Sequence, residues 1–209
     1  TGVRFLHDSN RNMPLEGDTN FEGLKKAYAN GVELRGKTIG IIGFGRIGRA
    51  VAKIALGMGM RVIAADKFVG SGEIKVDFYN GQFINVEILT EPMEDIYKHA
   101  DFITLHVPAQ EGFLIDEAEL NAMKDGVGII NCSRGGVINE VALINALEDG
   151  KVLFAGLDVF DQEPTPSVQI LMHPQISMTP HIGAATVEAQ DRIGTELAEQ
   201  IISLMKVEL

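Results

Sequence analysis

Cysteine is nearly absent. Cys132 stands alone in 209 residues, which excludes an internal disulfide framework and suits a reducing compartment such as the cytoplasm. Basic charge is also scarce: 18 Lys and Arg face 29 Asp and Glu, a net charge of −11. With no basic block to meet phosphates, a nucleic-acid partner is not expected. Long apolar runs are missing too. The longest are pieces such as Thr38–Gly43 and Phe102–Leu105, far short of the roughly 20 residues that span a bilayer, so no membrane partner is expected. No repeat or low-complexity tract occurs, and no metal site is expected. The first residue is Thr1, not Met. Val3–Leu6 reads as part of a running helix stopped at Pro14, with no cap before it. That pattern is expected of a piece of a longer protein, whose targeting signals would lie outside it.

What is present is a fold-forming chain, 45% hydrophobic. From Lys37 on, short β-rich runs alternate with longer helical patterns. The expected strands are Thr38–Ile42, Arg61–Ala65, Asp101–Val107, Val127–Asn131, Phe154–Val159 and Ile176–Thr179. Between them lie helix-period stretches at Arg46–Met58, Met93–His99, Asp116–Lys124, Glu140–Glu148 and Val187–Lys206. In the first, Ile47, Ala50, Val51, Ile54, Ala55 and Met58 share one face. Asp116 and Glu119 form a capping box, and Gly126 and Gly150 follow helix ends. Such alternation builds βαβ units, so the expectation is a doubly wound parallel α/β sheet, the Rossmann fold. One β-hairpin interrupts it. Ile74, Val76 and Phe78 alternate with polar residues, as do Ile84, Val86 and Ile88, with Asn80-Gly81 between them. A three-residue loop, Tyr79-Asn80-Gly81 with Gly81 left-handed, puts both apolar sets on one face, whereas a two-residue loop would not. The hairpin is expected to cover a sheet edge.

Gly43-Phe44-Gly45-Arg46-Ile47-Gly48 reads G-x-G-x-x-G between the first strand and a helix. In that context Gly43 serves a tight turn, Gly45 lets the backbone approach a pyrophosphate, and Gly48 lets helix and strand pack closely. The helix start adds free N–H groups. The next strand ends at Asp66, near the offset of roughly 20 residues where a carboxylate accepts ribose hydroxyls and repels a 2′-phosphate. NAD is therefore the expected cofactor, a preference that Lys67 softens slightly.

Three later strand ends carry reactive groups: Arg134 in Asn131–Gly136, carboxylates in Asp158–Pro164, and His181 in Thr179–Gly183. Hydride removal from a secondary alcohol needs a base for the hydroxyl proton. A histidine beside a carboxylate supplies one, because the negative neighbour favours the imidazolium and fixes the tautomer. Glu163 is the candidate partner and Asp161 the alternative. Arg134 can hold a carboxylate in a two-pronged grip that Lys cannot match. The other histidines read as structural: His7 on a helix face, His99 near a helix end, His173 in a loop, and His106 packed or hydrogen-bonded at a strand end. The eight methionines are scattered and read as core filling.

These segments resemble the nucleotide-binding domain of the D-isomer-specific 2-hydroxyacid dehydrogenases. The resemblance runs from about Leu34 onward through Leu34–Gly43, Leu105–Pro108, Asn131–Gly136, Gly156–Phe160 and Pro180–Thr186. Arg4–Pro14 resembles the helix joining that family's two domains. The resemblance implies catalytic roles for Arg134, Glu163 and His181, with His181 as acid/base. It places Arg46 and Ile47 at the pyrophosphate and Val107 and Pro108 beside the adenosine. Cys132, Ser133 and Asp158 would surround the nicotinamide, with Arg134 and His181 alongside and Gly183 and Ala184 following. Cys132 then lines the pocket and is not a nucleophile. His181–Gln190 resembles the phosphoglycerate branch, which implies serine biosynthesis and a small anionic 2-hydroxy or 2-oxo acid substrate.

The expected organisation is a linker and inter-domain helix over 1–35, an NAD-binding domain over 36–185, and a C-terminal helix over 186–209 that packs toward a substrate domain lying mostly before Thr1. Without that domain no closed cleft excludes water, so this piece alone is expected to be inactive. The family also implies a homodimer through this domain. The loop after Pro108 is shorter than in many relatives, a departure at the adenosine edge. Two other readings share the fold: an NAD(H)-sensing protein of the corepressor type, and a formate dehydrogenase, which pairs its histidine with Gln where this chain has Glu163.

Overall fold

The computed structural model describes residues 2–207. Its strands are β1 (Thr38–Ile42), β2 (Arg61–Ala65), β3 (Ser71–Asp77), β4 (Phe83–Leu89), β5 (Phe102–Leu105), β6 (Val127–Asn131), β7 (Val152–Leu157) and β8 (Ile176–Met178). Six of them form one parallel sheet in the order β2-β1-β5-β6-β7-β8, while β3 and β4 pair antiparallel. The chain runs outward from β1 to β2, then crosses back to β5 on the other side of β1. The crevice between β1 and β5, at the carboxyl ends, is therefore the switch point where doubly wound sheets bind ligands.

The helices are α1 (Leu6–Glu16), α2 (Phe21–Ala27), α3 (Arg46–Gly57), α4 (Met93–His99), α5 (Glu117–Ala122), α6 (Glu140–Glu148), α7 (Val168–Met172) and α8 (Val187–Val207). Near-continuous apolar strands demand cover on both faces. On one, Ile96, Leu120, Leu143 and Leu147 from α4–α6 bury Ile103, Leu105 and Ile129; each such side chain contributes roughly 1.5–3 kcal/mol. On the other, Ala52 of α3 packs with Ile41, Phe44, Ala64, Ile74 and Ile88.

The hairpin has the expected loop. Val76 faces Ile84 and Ile74 faces Val86, Phe78 N–H donates to the Gln82 carbonyl at 2.8 Å, and Gly81 has φ 84°. Both apolar sets thus share a face. Ile74 and Ile88 enter the α3-side core beside β2, and an isolated bridge joins Ala64 to Thr90, so the hairpin covers the β2 edge.

Several expectations fail, among them the strand expected over Asp101–Val107, which spans only Phe102–Leu105. The amino-terminal stretch is not one helix stopped at Pro14. Val3 is buried against Phe154 and its carbonyl accepts from Val32 N–H; the chain then turns at Phe5, φ 52°, before α1 begins. Pro14 lies within α1. It sits in the last turn, where it cannot donate to the Asn10 carbonyl, yet the helix runs on to Glu16 and Gly17 N–H reaches the Met13 carbonyl. Strand β7 begins and ends two residues early, because Asp158 leaves the sheet to meet the loop after β8. Helices α2 and α7 carry no apolar period long enough to register.

Candidate active site

The glycine loop follows β1, and its first and last glycines sit where a side chain would not fit. Gly43 has φ 95°, and a β-carbon there would lie 2.4 Å from the His106 carbonyl oxygen. At Gly48 it would lie 2.1 Å from the Gly43 oxygen, whereas Gly45 faces open space. Side chains at the first and last glycines would collide with backbone; at the middle one they would only fill the approach to α3. No side chain caps that helix, which leaves its first N–H groups free for an anion. Arg46 and Ile47 project outward from this turn, Arg46 reaching Glu196 of α8 at 3.4 Å and Ile47 exposed.

Asp66 ends β2 and holds the same loop. Its Oδ2 accepts from Phe44 N–H at 2.6 Å, and its Oδ1 from Phe68 and Val69 N–H at 2.8 and 3.0 Å. Partial burial pushes its pKa up, but these three amides and Arg49 outweigh that and hold it below the ordinary carboxylate range. A depressed native pKa means that the stabilisation is complete above the unfolded-state value and lost as pH falls through the native one. The stability difference between wild type and Asp66→Asn, read by denaturant unfolding, is therefore expected to be largest near neutrality and to shrink in acid. A difference independent of pH would contradict this.

The loop after β5 closes the crevice. His106 bonds Thr104 Oγ1 at 3.0 Å, burial holding its imidazole pKa low; Val107 is half-buried and Pro108 exposed beside the glycine turn. After β6, Asn131 accepts from the N–H and hydroxyl of Ser133 and donates to the Arg134 carbonyl at 3.0 Å. This Asx turn buries Ser133 and leaves Cys132 and Arg134 exposed. Surrounding burial, and then Asp158, push the Cys132 thiol above its ordinary pKa, so it is not primed as a thiolate. Arg134 spends one guanidinium nitrogen on the Ser133 carbonyl, at 2.6 Å.

The loops after β7 and β8 meet. His181 Nδ1 lies 2.8 Å from Glu163 Oε2, and Glu163 Oε1 accepts from Phe160 N–H at 3.0 Å. The bond to His181 is the main cause that holds the Glu163 carboxyl below its ordinary pKa. Asp161 is engaged elsewhere, accepting from Gly136 N–H at 2.7 Å. With Nδ1 donating to Glu163, His181 keeps Nε2 free to take or give a proton. The pair borders a cavity of about 430 Å³ walled by Phe160, Pro164, Leu171 and Met178. Asp158, 3% exposed, accepts from Ile182 and Gly183 N–H at 2.9 and 2.8 Å and from the Thr179 hydroxyl at 2.5 Å. Burial would raise its pKa, but these bonds outweigh it and hold the carboxyl below the ordinary range. Ala184 follows in the exposed turn.

The structure thus joins Glu163 to His181 and Asp158 to Gly183, and gathers Gly43, Gly45, Gly48 and Asp66 in one turn. It pairs Arg134 with neither Glu163 nor His181. Sequence reasoning passed over Asn131 and Thr179. An Asn at a strand end two residues before Ser is an Asx-turn signal that could have marked the first.

Residues 3–183 match the family model described as "D-isomer specific 2-hydroxyacid dehydrogenase, NAD binding domain". The chain is 43% identical over 182 residues to a hydroxypyruvate reductase of Thermotoga maritima, covering 85% of this chain and 56% of that protein. It is 42% identical over 181 residues to a D-3-phosphoglycerate dehydrogenase of Methanocaldococcus jannaschii, covering 86% and 33%. Among solved structures, a glyoxylate reductase from Paecilomyes thermophila superposes with a TM-score of 0.75 at 30% identity, over 93% of this chain and 55% of that one. The chain therefore spans about half or less of the length of the curated relatives it matches.

Proposed function

We propose a function from one premise: the chain belongs to the D-isomer-specific 2-hydroxyacid dehydrogenase family, as its NAD-binding domain. The protein that contains it is an NAD-dependent dehydrogenase of a small D-2-hydroxy acid, with 3-phosphoglycerate and 3-phosphohydroxypyruvate as the substrate pair. The observation that carries the reading is the 2.8 Å contact between His181 and Glu163 at the carboxyl edge of the sheet, on the side where the glycine turn lies.

The fit to a dinucleotide rests on the turn itself, open at Gly45 and closed by backbone at Gly43 and Gly48. Gly45, Arg46, Ile47 and the first α3 amides would hold the pyrophosphate, and Asp66, Val107 and Pro108 the adenosine. Cys132, Ser133, Asp158, Gly183 and Ala184 would hold the nicotinamide, which when bound accepts or gives the hydride. Arg134 grips the substrate carboxylate and its 2-oxygen through donors not used on Ser133. His181 removes the hydroxyl proton at Nε2 during oxidation and returns it during reduction, while Glu163 fixes the ring at Nδ1. Residues 36–185 would form the NAD-binding domain, flanked by the inter-domain helix and linker of 1–35 and by the carboxy-terminal segment of 186–209, in which α8 spans Val187–Val207 and residues 208–209 lie outside the described residues.

A substrate domain outside this chain would complete the cleft. A homodimer goes with this reading, and the exposed stripe of Ile47, Ile54 and Met58 on α3 supports it, since apolar helix faces seek cover. A cytoplasmic location also goes with it; among the described residues no helix is long and apolar enough to cross a membrane. The substrate assignment draws on the phosphoglycerate dehydrogenase relatives, and hydroxypyruvate stands beside it through the Thermotoga relative.

NADH oxidation by the full encoded polypeptide, with 3-phosphohydroxypyruvate, hydroxypyruvate and glyoxylate, tests the proposal. Turnover highest with the phosphorylated acid is expected. NADH binding without turnover on any of the three would overturn it in favour of a sensing role.

Glu163→Gln should lower kcat about tenfold while NADH affinity stays unchanged. Because Glu163 titrates below the ordinary range, the wild-type acid limb should lie there, and the variant should lack it. An unchanged pH–rate profile would refute the pairing.

A further inference from the structure

Among the described residues, Phe5 and His181 are the non-glycine residues with positive φ, and His181 has φ 54°. A side chain adopts that backbone at an energetic cost, so the surroundings must enforce it. Glu163 does not. It meets the ring and leaves the backbone free. What surrounds the backbone is a set of bonds on both sides of His181 that converge on one buried carboxylate.

Before it, Thr179 Oγ1 donates to Asp158 Oδ1, and Thr179 N–H donates to the Leu157 carbonyl. After it, Ile182 N–H reaches the same Oδ1 and Gly183 N–H reaches Oδ2. A β-carbon on Gly183 would sit 2.8 Å from that Oδ2, so the turn is drawn tightly onto Asp158. Asp158 itself is fixed to the sheet through its N–H, which donates to the Asn131 carbonyl at 3.0 Å.

We infer that Thr179 is a positioning residue: its hydroxyl completes a clamp on Asp158 that holds His181 left-handed and so aims Nδ1 at Glu163. Without it, Asp158 Oδ1 keeps the Ile182 amide but loses the strut on the amino-terminal side of the histidine. On that side the turn then keeps only the backbone bond from Thr179 N–H to the Leu157 carbonyl, and the ring can swing from the carboxylate. This rests on the dehydrogenase reading only in so far as His181 acts on substrate; the clamp itself is a property of the unliganded chain. Asp158 is the poorer place to test it, because its carboxylate also faces the expected nicotinamide position.

The test replaces Thr179 with Val, which keeps the shape and removes the donor, and with Ser, which keeps the donor. Nitrogen-15 histidine NMR on the unliganded protein reads which ring nitrogen of neutral His181 carries the proton. Wild type and Thr179→Ser should show the Nδ1–H tautomer that Glu163 selects; Thr179→Val should lose it. In the turnover assay Thr179→Val should lower kcat between about tenfold and a hundredfold, as small misplacements of a catalytic group do, with the KM for NADH unchanged and Thr179→Ser restoring kcat. If Thr179→Val keeps either the wild-type tautomer or the wild-type kcat, or if Thr179→Ser behaves like it, the positioning role is overturned. Thr179→Ala gives the same comparison should valine perturb folding. If wild type turns over no 2-oxo acid, the dehydrogenase reading fails, and the NMR comparison alone decides the clamp.

Discussion

Replacing His181 with Asn should lower kcat by about 10²–10⁴, the usual contribution of a positioned acid or base, and leave the Kd for NADH within about twofold. The structure argues for both halves. Nδ1 is committed to Glu163 at 2.8 Å and the side chain is 54% exposed, which leaves Nε2 for the proton transfer. The dinucleotide turn, by contrast, is built from Gly43–Gly48 and Asp66, none of which depends on His181. Asparagine preserves a polar group and tolerates positive φ better than most residues, so the variant should keep the turn and lose only the proton transfer. Steady-state kinetics together with an NADH fluorescence titration separates the two effects. A variant with near-normal kcat would remove His181 from the chemistry, whereas a parallel loss of NADH affinity would make its role one of binding.

Arg134→Lys should reduce kcat/KM for the oxo acid by about tenfold to a hundredfold. That is what the loss of one hydrogen bond to a charged group, roughly 1.5–3 kcal/mol, means for a rate constant. The loop that presents Arg134 is rigid: Asn131 braces it through Ser133 and the Arg134 carbonyl, and the guanidinium is anchored to the Ser133 carbonyl. One nitrogen of the fork is therefore spent on structure and the rest remain for ligand. A lysine has a single charged tip, and it cannot hold the loop carbonyl and grip a carboxylate and a keto oxygen together. The effect should fall on the KM of the acid and on kcat, and spare NADH. Near-normal kcat/KM would remove Arg134 from the mechanism.

How much of this was legible in the sequence depends on how local each requirement is. The glycine turn was readable because Gly43 needs a positive φ and Gly48 needs space, both consequences of one strand–turn–helix passage. The hairpin loop was readable for a similar reason: only a left-handed Gly81 in a three-residue loop puts Ile74 and Ile84 on one face. The offset singles out Asp66 as a candidate ribose ligand. What the structure shows it doing, tying Phe44, Phe68 and Val69 together, depends on side-chain reach that spacing does not encode. The carboxylate partner of His181 could not be settled from residue types, because Asp161 and Glu163 lie two apart in one loop. The loop's path decides it, giving Asp161 to Gly136 and Glu163 to His181. Thr179 gave no signal, since a threonine closing a strand is ordinary and only the buried Asp158 across the turn gives its hydroxyl a task. The break at Phe5 was hidden for the opposite reason: locally the stretch is helical, and it is the burial of Val3 against Phe154 that overrides it.

A crystal structure of the protein with NADH bound is expected to show the pyrophosphate over Gly45 and the start of α3, a ribose hydroxyl on Asp66, and the nicotinamide between Cys132 and Asp158, its hydride carbon facing the space between Arg134 and His181 Nε2. A nicotinamide lying away from His181, with the dinucleotide held elsewhere than the Gly43–Gly48 turn, would contradict this arrangement.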